Sequence, residues 1–117
     1  MVHVSTIPDL TLAPWQATLA PATLEALREL ASVHPVAGST SDGEMKILVE
    51  WLNAHQCRNV LQLGTFVGWS ALIIADQIAP RGGTLMTVDP SAHGLIVCQQ
   101  YAKMAGEIVA SMIAVRI

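Results

Sequence analysis

The stretch Val60-Leu61-Gln62-Leu63-Gly64-Thr65-Phe66-Val67-Gly68-Trp69-Ser70, with Asp89-Pro90 further along the chain, decides the fold. Residues 59–63 are short and largely apolar and end at a glycine, which is typical of a buried parallel strand. Apolar residues then recur at helical spacing over about 68–79, and a second apolar run at 84–88 stops at Asp89. This order predicts a β–α–β unit whose strands are parallel and joined by a right-handed crossover.

Further helices are predicted around this unit. Leucines three residues apart indicate a helix over about 21–32, and Ser41 with Glu44 has the spacing of a capping box that opens a second helix. A third long helix is predicted from position 92 to at least 105.

The two ends of the chain are less regular. Residues 1–20, which carry Pro8 and Pro14, are predicted to form an irregular arm, and residues 21–117 one domain. For 106–117 we favour a continued helix, because no turn residue follows Gly106; a third strand is the alternative, since the segment is rich in Val and Ile.

Composition excludes several classes of protein. The chain has 117 residues, one domain in length, and its 52% hydrophobic and 13% charged residues rule out a disordered chain. The formal net charge of −3 gives no electrostatic reason to bind nucleic acid or an anionic membrane. No stretch is long and apolar enough to cross a bilayer, and residues 1–11 lack the basic start of a signal peptide, so we expect a cytoplasmic protein.

Cysteines and histidines do not indicate a metal site. Cys57 and Cys98 are far apart and are expected to be free, buried thiols, and the four histidines are scattered without metal-ligand spacing.

The turn between the first strand and its helix has the features of a nucleoside site. Gly64 lets the chain turn and lets a ligand approach the backbone, and the free N–H groups of the helix that begins near Gly68 favour an anionic group. Asp89, at the carboxyl end of the second strand, can accept both hydroxyls of a ribose. Phe66 stands where a dinucleotide fingerprint has its second glycine, so a ligand with a ribose but no pyrophosphate fits better. S-adenosylmethionine is such a ligand.

These residues resemble the small S-adenosylmethionine-dependent O-methyltransferases of the catechol and caffeoyl-CoA type, in the N-terminal half of that family. The similarity covers about residues 38–106 and is most specific over Gly64–Ser70. It implies an α/β, Rossmann-like methyltransferase fold of three layers, here incomplete, with helices around a βαβα unit. It also implies that the cofactor is contacted by Thr40, Ser41, Gln62, Gly64, Phe66, Gly68, Ser70, Asp89 and Pro90.

The sequence departs from the family's pattern in two ways. Gln62 stands where the family has an acidic residue, so no charge is brought to the ammonium of the cofactor and weaker binding is expected. Glu107 is the only acidic residue after Asp89, so the family's metal-binding acids and catalytic base are absent, and neither a metal site nor catalytic residues are expected.

A half fold would leave a sheet edge unpaired, and each buried, unpaired backbone group costs about 1–3 kcal/mol. With a mean hydropathy of +0.48, this suggests a homodimer in which two copies complete each other. Two functions therefore remain open: the S-adenosylmethionine-binding half of an O-methyltransferase, or a non-catalytic dimerisation protein with a vestigial pocket.

Overall fold

In a computed structural model, residues 18–34, 42–65 and 67–117 are described. The predicted elements are present close to their expected bounds. In chain order they are α1 (Pro21–Val33), α2 (Asp42–Ala54), β1 (Asn59–Leu63), α3 (Trp69–Ile78), β2 (Thr84–Val88), α4 (Ala92–Ala105), α5 (Glu107–Met112) and β3 (Ile113–Arg116), with a 3₁₀ turn at Ala79–Arg81. Positions 1–17 of the predicted arm and Ser41 of the predicted capping box lie outside the described residues.

The strands form one parallel sheet in the order β1-β2-β3. Gln62 is aligned with Thr87, and Leu63 with Val88. Strand β3 pairs with β2 from Leu85↔Ile113 onward. The predicted parallel pairing of β1 and β2 is confirmed, and β3 extends the sheet on the far side of β2.

Helix α3 is the centre of the hydrophobic core. All ten of its residues are buried, because it packs against β2 on one side and against α1, α2 and α4 on the others. Most of its residues are apolar, as expected of a helix buried on all sides, and its polar residues Asp76 and Gln77 are hydrogen-bonded.

The continued helix favoured for residues 106–117 is wrong. Gly106 has a φ of +135°, which ends α4, and a separate short helix follows before β3 begins at Ile113. The final residues pair with β2 and so gain a complete row of interstrand hydrogen bonds. The alternative of a third strand holds for Ile113–Arg116.

Asp76 of α3 holds the amino end of α1. Its Oδ1 accepts hydrogen bonds from the Ala20 N–H at 3.2 Å and from the Thr23 hydroxyl at 2.7 Å. Because Ala20, the N-cap residue of α1, provides no side-chain cap, this carboxylate supplies the missing acceptor from another helix.

Arg81 joins the end of α2 to the turn after α3. Its Nη1 donates to Asn53 Oδ1 at 2.9 Å, and its Nε donates to the Cys57 carbonyl at 2.9 Å. These bonds fix the segment that leads from α2 into β1, and so they set where β1 begins.

One face of the sheet is uncovered in the part of the chain that the structure describes. Leu61, Leu63 and Met86 are 61%, 78% and 43% exposed, and the register places Leu61 and Met86 side by side. Each new strand is added on the same side of the one before, in the order β1-β2-β3. Because both crossover connections are right-handed, α3 and α4 then lie on the same face of the sheet. Over the same residues, no helix has both the length and the apolar character needed to cross a bilayer.

Candidate nucleoside-binding site

The turn from β1 to α3 is built on two glycines with positive φ. Gly64 has φ +92° and donates its N–H to the Val88 carbonyl at 2.7 Å, which extends the β1–β2 ladder by one bond. Gly68, at φ +101°, donates to the Thr65 carbonyl at 3.0 Å and is the N-cap residue of α3. Left-handed backbone at both positions favours glycine.

Their surroundings give the two glycines different roles. A Cβ at Gly68 would lie 2.8 Å from Cys98 Cβ, so this glycine lets α3 approach α4 closely. A Cβ at Gly64 would meet no atom of the described residues within 4 Å. Open space beside an exposed backbone is what a ligand needs, so the approachable side of the turn is at Gly64.

Asp89 lies against this turn. Its Oδ2 accepts the Thr65 N–H at 2.9 Å, and its Oδ1 accepts the Ser91 N–H at 2.8 Å. Asp89 also donates its own N–H to the Arg116 carbonyl at 3.0 Å, which ties it to the neighbouring strand β3. The side chain is half-buried, and a carboxylate is an acceptor of hydrogen bonds from hydroxyl groups.

Gln62 and Ser70 meet beneath the turn. Gln62 Nε2 donates to Ser70 Oγ at 2.5 Å, and Gln62 Oε1 accepts the Thr87 hydroxyl at 2.9 Å. Ser70 lies in the first turn of α3, whose N–H groups have no acceptor within the helix and favour an anion.

The remaining predicted residues divide into two groups. Pro90 is exposed directly after Asp89, at the entry to α4. Thr40, Ser41 and Phe66 lie outside the described residues. The structure therefore brings together Gln62, Gly64, Gly68, Ser70 and Asp89 around one turn.

Sequence reasoning missed Thr65 and Thr87. Both are buried, and their hydroxyl oxygens lie 2.6 Å apart. The alternation of buried and exposed residues in β2 indicated that Thr87 lies on the same face as buried Leu85. The residues that Thr87 contacts could be identified only from the register of β1 on β2.

Cys98 is chemically quiet although it lies beside the turn. It is buried, and that burial raises the pKa of its thiol to about 11. Cys57 is partly exposed rather than buried, and both thiols are free. The thiolate is the reactive form, so Cys98 serves here as a small packing residue.

Other features of the surface lack the chemistry of a site. A concave region of about 490 Å³ is lined by Lys103, Glu107, Ala110 and Ser111, on α4 and α5. His34 lies near His93 and Tyr101, with ring centroids 6.2 and 5.8 Å away. Across residues 18–34, 42–65 and 67–117, no three His, Cys, Asp or Glu side chains are grouped so that they could hold a metal ion.

Comparison with known families gives one consistent result. The profile of the family described as O-methyltransferase matches residues 16–117. A curated relative, the transmembrane O-methyltransferase of Propithecus coquereli, is 34% identical over 77 residues, which is 66% of this chain and 25% of that protein.

Solved structures show the same fold. The O-methyltransferase TomG of Streptomyces achromogenes, in complex with SAM, has a TM-score of 0.66 at 23% identity, over 83% of this chain and 42% of its own. The SAH-bound methyltransferase PaMTH1 of Podospora anserina has a TM-score of 0.69 at 15% identity, over 85% and 42%. At these identities the likeness shows the fold alone, and the chain spans less than half the length of both structures.

Proposed function

Because this chain belongs to the O-methyltransferase family, we propose that the turn around Gly64 binds the adenosyl part of S-adenosylmethionine. The observation that carries the proposal is the position of Asp89, whose carboxylate lies 2.9 Å from the Thr65 amide, one residue beyond the open backbone of Gly64. A ligand at Gly64 therefore has a carboxylate within reach. Two adjacent ribose hydroxyls match such an acceptor.

The other residues suit the rest of the ligand. Ser70 lies in the first turn of α3, and together with the free N–H groups of that turn it offers hydrogen-bond donors to a carboxylate, the group that ends the methionine part. Exposed Pro90 provides an apolar surface for adenine. In this arrangement the ligand extends across the carboxyl ends of the strands, from β2 toward α3.

When bound, S-adenosylmethionine supplies an electrophilic methyl group, and the residues of this chain bind and orient it. Positioning provides much of the acceleration of such a transfer. Glu107 is the first residue of α5, beyond the end of α4 that lies farther from the turn. We assign cofactor binding to the described residues around the turn; methyl transfer to a small-molecule hydroxyl is proposed for the whole family fold, of which this chain spans part.

Calorimetric titration with S-adenosylhomocysteine tests the assignment. The wild-type chain is expected to bind, and Asp89→Ala is expected to weaken binding by at least tenfold, the loss of about one charge-assisted hydrogen bond. Glu107→Gln, which removes an exposed carboxylate at the start of α5, is the matched control and should bind as wild type does. No heat from wild type at millimolar ligand would reject cofactor binding.

A specific observation favours a second function, association of two copies. The edge of β1 facing away from β2 has no partner strand among the described residues, and Asn59–Leu63 contains no proline or charged residue to protect it. The adjoining sheet face exposes Leu61, Leu63 and Met86, and this face is uncharged at those positions, so two such faces can pack without repulsion. Stacked faces of this kind lie about 10 Å apart.

Light scattering at micromolar concentration tests the association. The proposal expects the mass of a dimer for wild type and a monomer for Leu61→Lys, which places a charge on the exposed face. Ile47→Lys on α2, where Ile47 is 68% exposed, makes the same change from an exposed apolar side chain to a lysine and is the control that should stay dimeric. A monomeric wild type would reject this second function and leave cofactor binding unaffected.

A further inference from the structure

A continuous chain of hydrogen bonds runs beneath the turn. It begins at the Thr65 hydroxyl, 2.6 Å from that of Thr87; Thr87 donates to Gln62 Oε1 at 2.9 Å; and Gln62 Nε2 donates to Ser70 Oγ at 2.5 Å. Its members lie on the turn, on β2, on β1 and on α3. The side chain of Gln62 is therefore the link between the sheet and the first turn of α3.

Most members of this hydrogen-bonded series are buried from solvent. Thr65, Thr87 and Ser70 are 1%, 0% and 7% exposed. Water does not readily replace a partner at such sites, and a buried polar group that loses its partner is costly. The amide of Gln62 thus determines where the Ser70 side chain sits.

The direction of these hydrogen bonds determines which hydroxyl proton is left for donation to a ligand. Thr87 gives its single hydroxyl proton to Gln62, so Thr65 is the donor in the Thr65–Thr87 bond. Gln62 gives an amide proton to Ser70, so the hydroxyl proton of Ser70 is not used in this chain. Ser70 can therefore donate that proton to an acceptor at the amino end of α3.

We propose that Gln62 is a positioning residue that does not touch the ligand but holds Ser70 as a donor to the carboxylate of the ligand's amino-acid end. This rests on the cofactor site proposed above and divides it into two halves. Asp89 acts on the ribose, and Gln62 acts only through Ser70, on the opposite end. The affinity of a ligand that lacks an amino-acid end should then not depend on Gln62.

Two probes separate the halves. S-adenosylhomocysteine has both a ribose and an amino-acid end, whereas 5′-methylthioadenosine keeps the nucleoside and lacks the carboxylate and the ammonium. Both are titrated by calorimetry into wild type, Gln62→Met, Ser70→Ala and the double variant. Methionine is chosen because it keeps the length and shape of glutamine and removes both hydrogen bonds.

The expected result is a split between the two probes. Gln62→Met and Ser70→Ala each weaken S-adenosylhomocysteine binding about tenfold, the value of one hydrogen bond to a charged group, and leave 5′-methylthioadenosine within about twofold of wild type. The double variant loses no more than either single variant, because both changes remove the same contact.

Other outcomes overturn the proposal in distinguishable ways. Equal losses for both probes show that Gln62 supports the fold of the whole turn, and additive losses show a separate contact of Gln62 with the ligand. If Gln62→Met does not fold, Thr87→Val cuts the same chain one link earlier, and it must show the same split. Unchanged binding in Gln62→Met overturns only this inference, whereas a wild type that binds neither probe overturns the cofactor site and this inference together.

Discussion

Thr65 donates its backbone N–H to the carboxylate of Asp89 at 2.9 Å, although the two residues are 24 positions apart in the sequence. This bond joins the turn after β1 to the end of β2, and the Asp89 N–H continues the link to Arg116 of β3. The carboxyl ends of all three strands are thus joined at Asp89, through its carboxylate on the β1 side and through its backbone N–H on the β3 side. Replacing Asp89 should therefore affect both the ligand and the turn.

Asp89→Asn separates these two effects. Its amide oxygen can still accept one backbone N–H, so we expect the free energy of unfolding to fall by about 1 kcal/mol or less, while S-adenosylhomocysteine binds several-fold more weakly because the acceptor is no longer charged. Urea denaturation and calorimetric titration measure the two quantities. A large loss of stability with unchanged affinity would show that Asp89 supports the turn alone.

Alanine at the two glycines of the turn should have unequal costs. Gly68→Ala combines positive φ with a Cβ 2.8 Å from Cys98 Cβ and 2.9 Å from Cys98 Cα, so we expect a loss of about 2–4 kcal/mol of stability. Gly64→Ala should cost only the backbone strain, about 1–2 kcal/mol, because within the described part of the chain its Cβ meets no atom within 4 Å.

Urea denaturation of the two glycine variants gives the comparison, and the order of the losses is the critical result. Equal stability of the variants would show that α3 and α4 separate easily. Ligand binding should show the opposite order among folded proteins, because the new methyl group at Gly64 occupies the open side of the turn.

Removing the Asp76 carboxylate should destabilise α1. Asp76→Ala leaves the Ala20 N–H and the Thr23 hydroxyl without their acceptor, at an expected cost of about 1–3 kcal/mol in chemical denaturation. Thr23→Val should cost less, since one of the two bonds remains. In a double-mutant cycle the two changes should be less than additive, and full additivity would contradict a shared contact.

The buried thiol of Cys98 should lower the free energy of unfolding at alkaline pH. Burial raises the pKa of its thiol from 9.0 to about 11, so between these values the unfolded chain has lost the proton while the folded chain retains it. The stabilisation from the neutral thiol is complete below pH 9 and declines as the pH rises toward 11, by up to about 1.4 kcal/mol per pH unit.

Cys98→Ala provides the comparison for the alkaline loss. It should show a shallower decline in the free energy of unfolding over this range, whatever its stability at neutral pH. Identical slopes for the two proteins would contradict the assigned burial of the thiol.

Local sequence patterns predicted most of the elements because each is contained in one contiguous stretch. The apolar run 59–63 and the glycines around it specify β1 and its turn without distant partners. The end of the chain was different. Ile113–Arg116 becomes a strand because β2 offers it a row of hydrogen-bonding groups, and this is a tertiary effect that overrides local preference.

The candidate site was likewise predictable from the sequence only in part. Asp89 could be placed near Gly64 because the carboxyl ends of parallel strands meet at one edge of a sheet. The hydrogen-bonded series Thr65–Thr87–Gln62–Ser70 could not be predicted from the sequence, because it depends on the alignment of Gln62 with Thr87. That alignment is a property of the paired strands β1 and β2, which no single stretch contains.

The most direct test of the account is an amide ¹⁵N–¹H correlation spectrum recorded while S-adenosylhomocysteine is added. If the turn holds the nucleoside against Asp89, the shifts concentrate on the amides of Gly64, Thr65, Gly68 and Ser91. Shifts confined to residues such as Lys103 and Ala110, which line the concave region on α4 and α5, or no shifts at millimolar ligand, would contradict it.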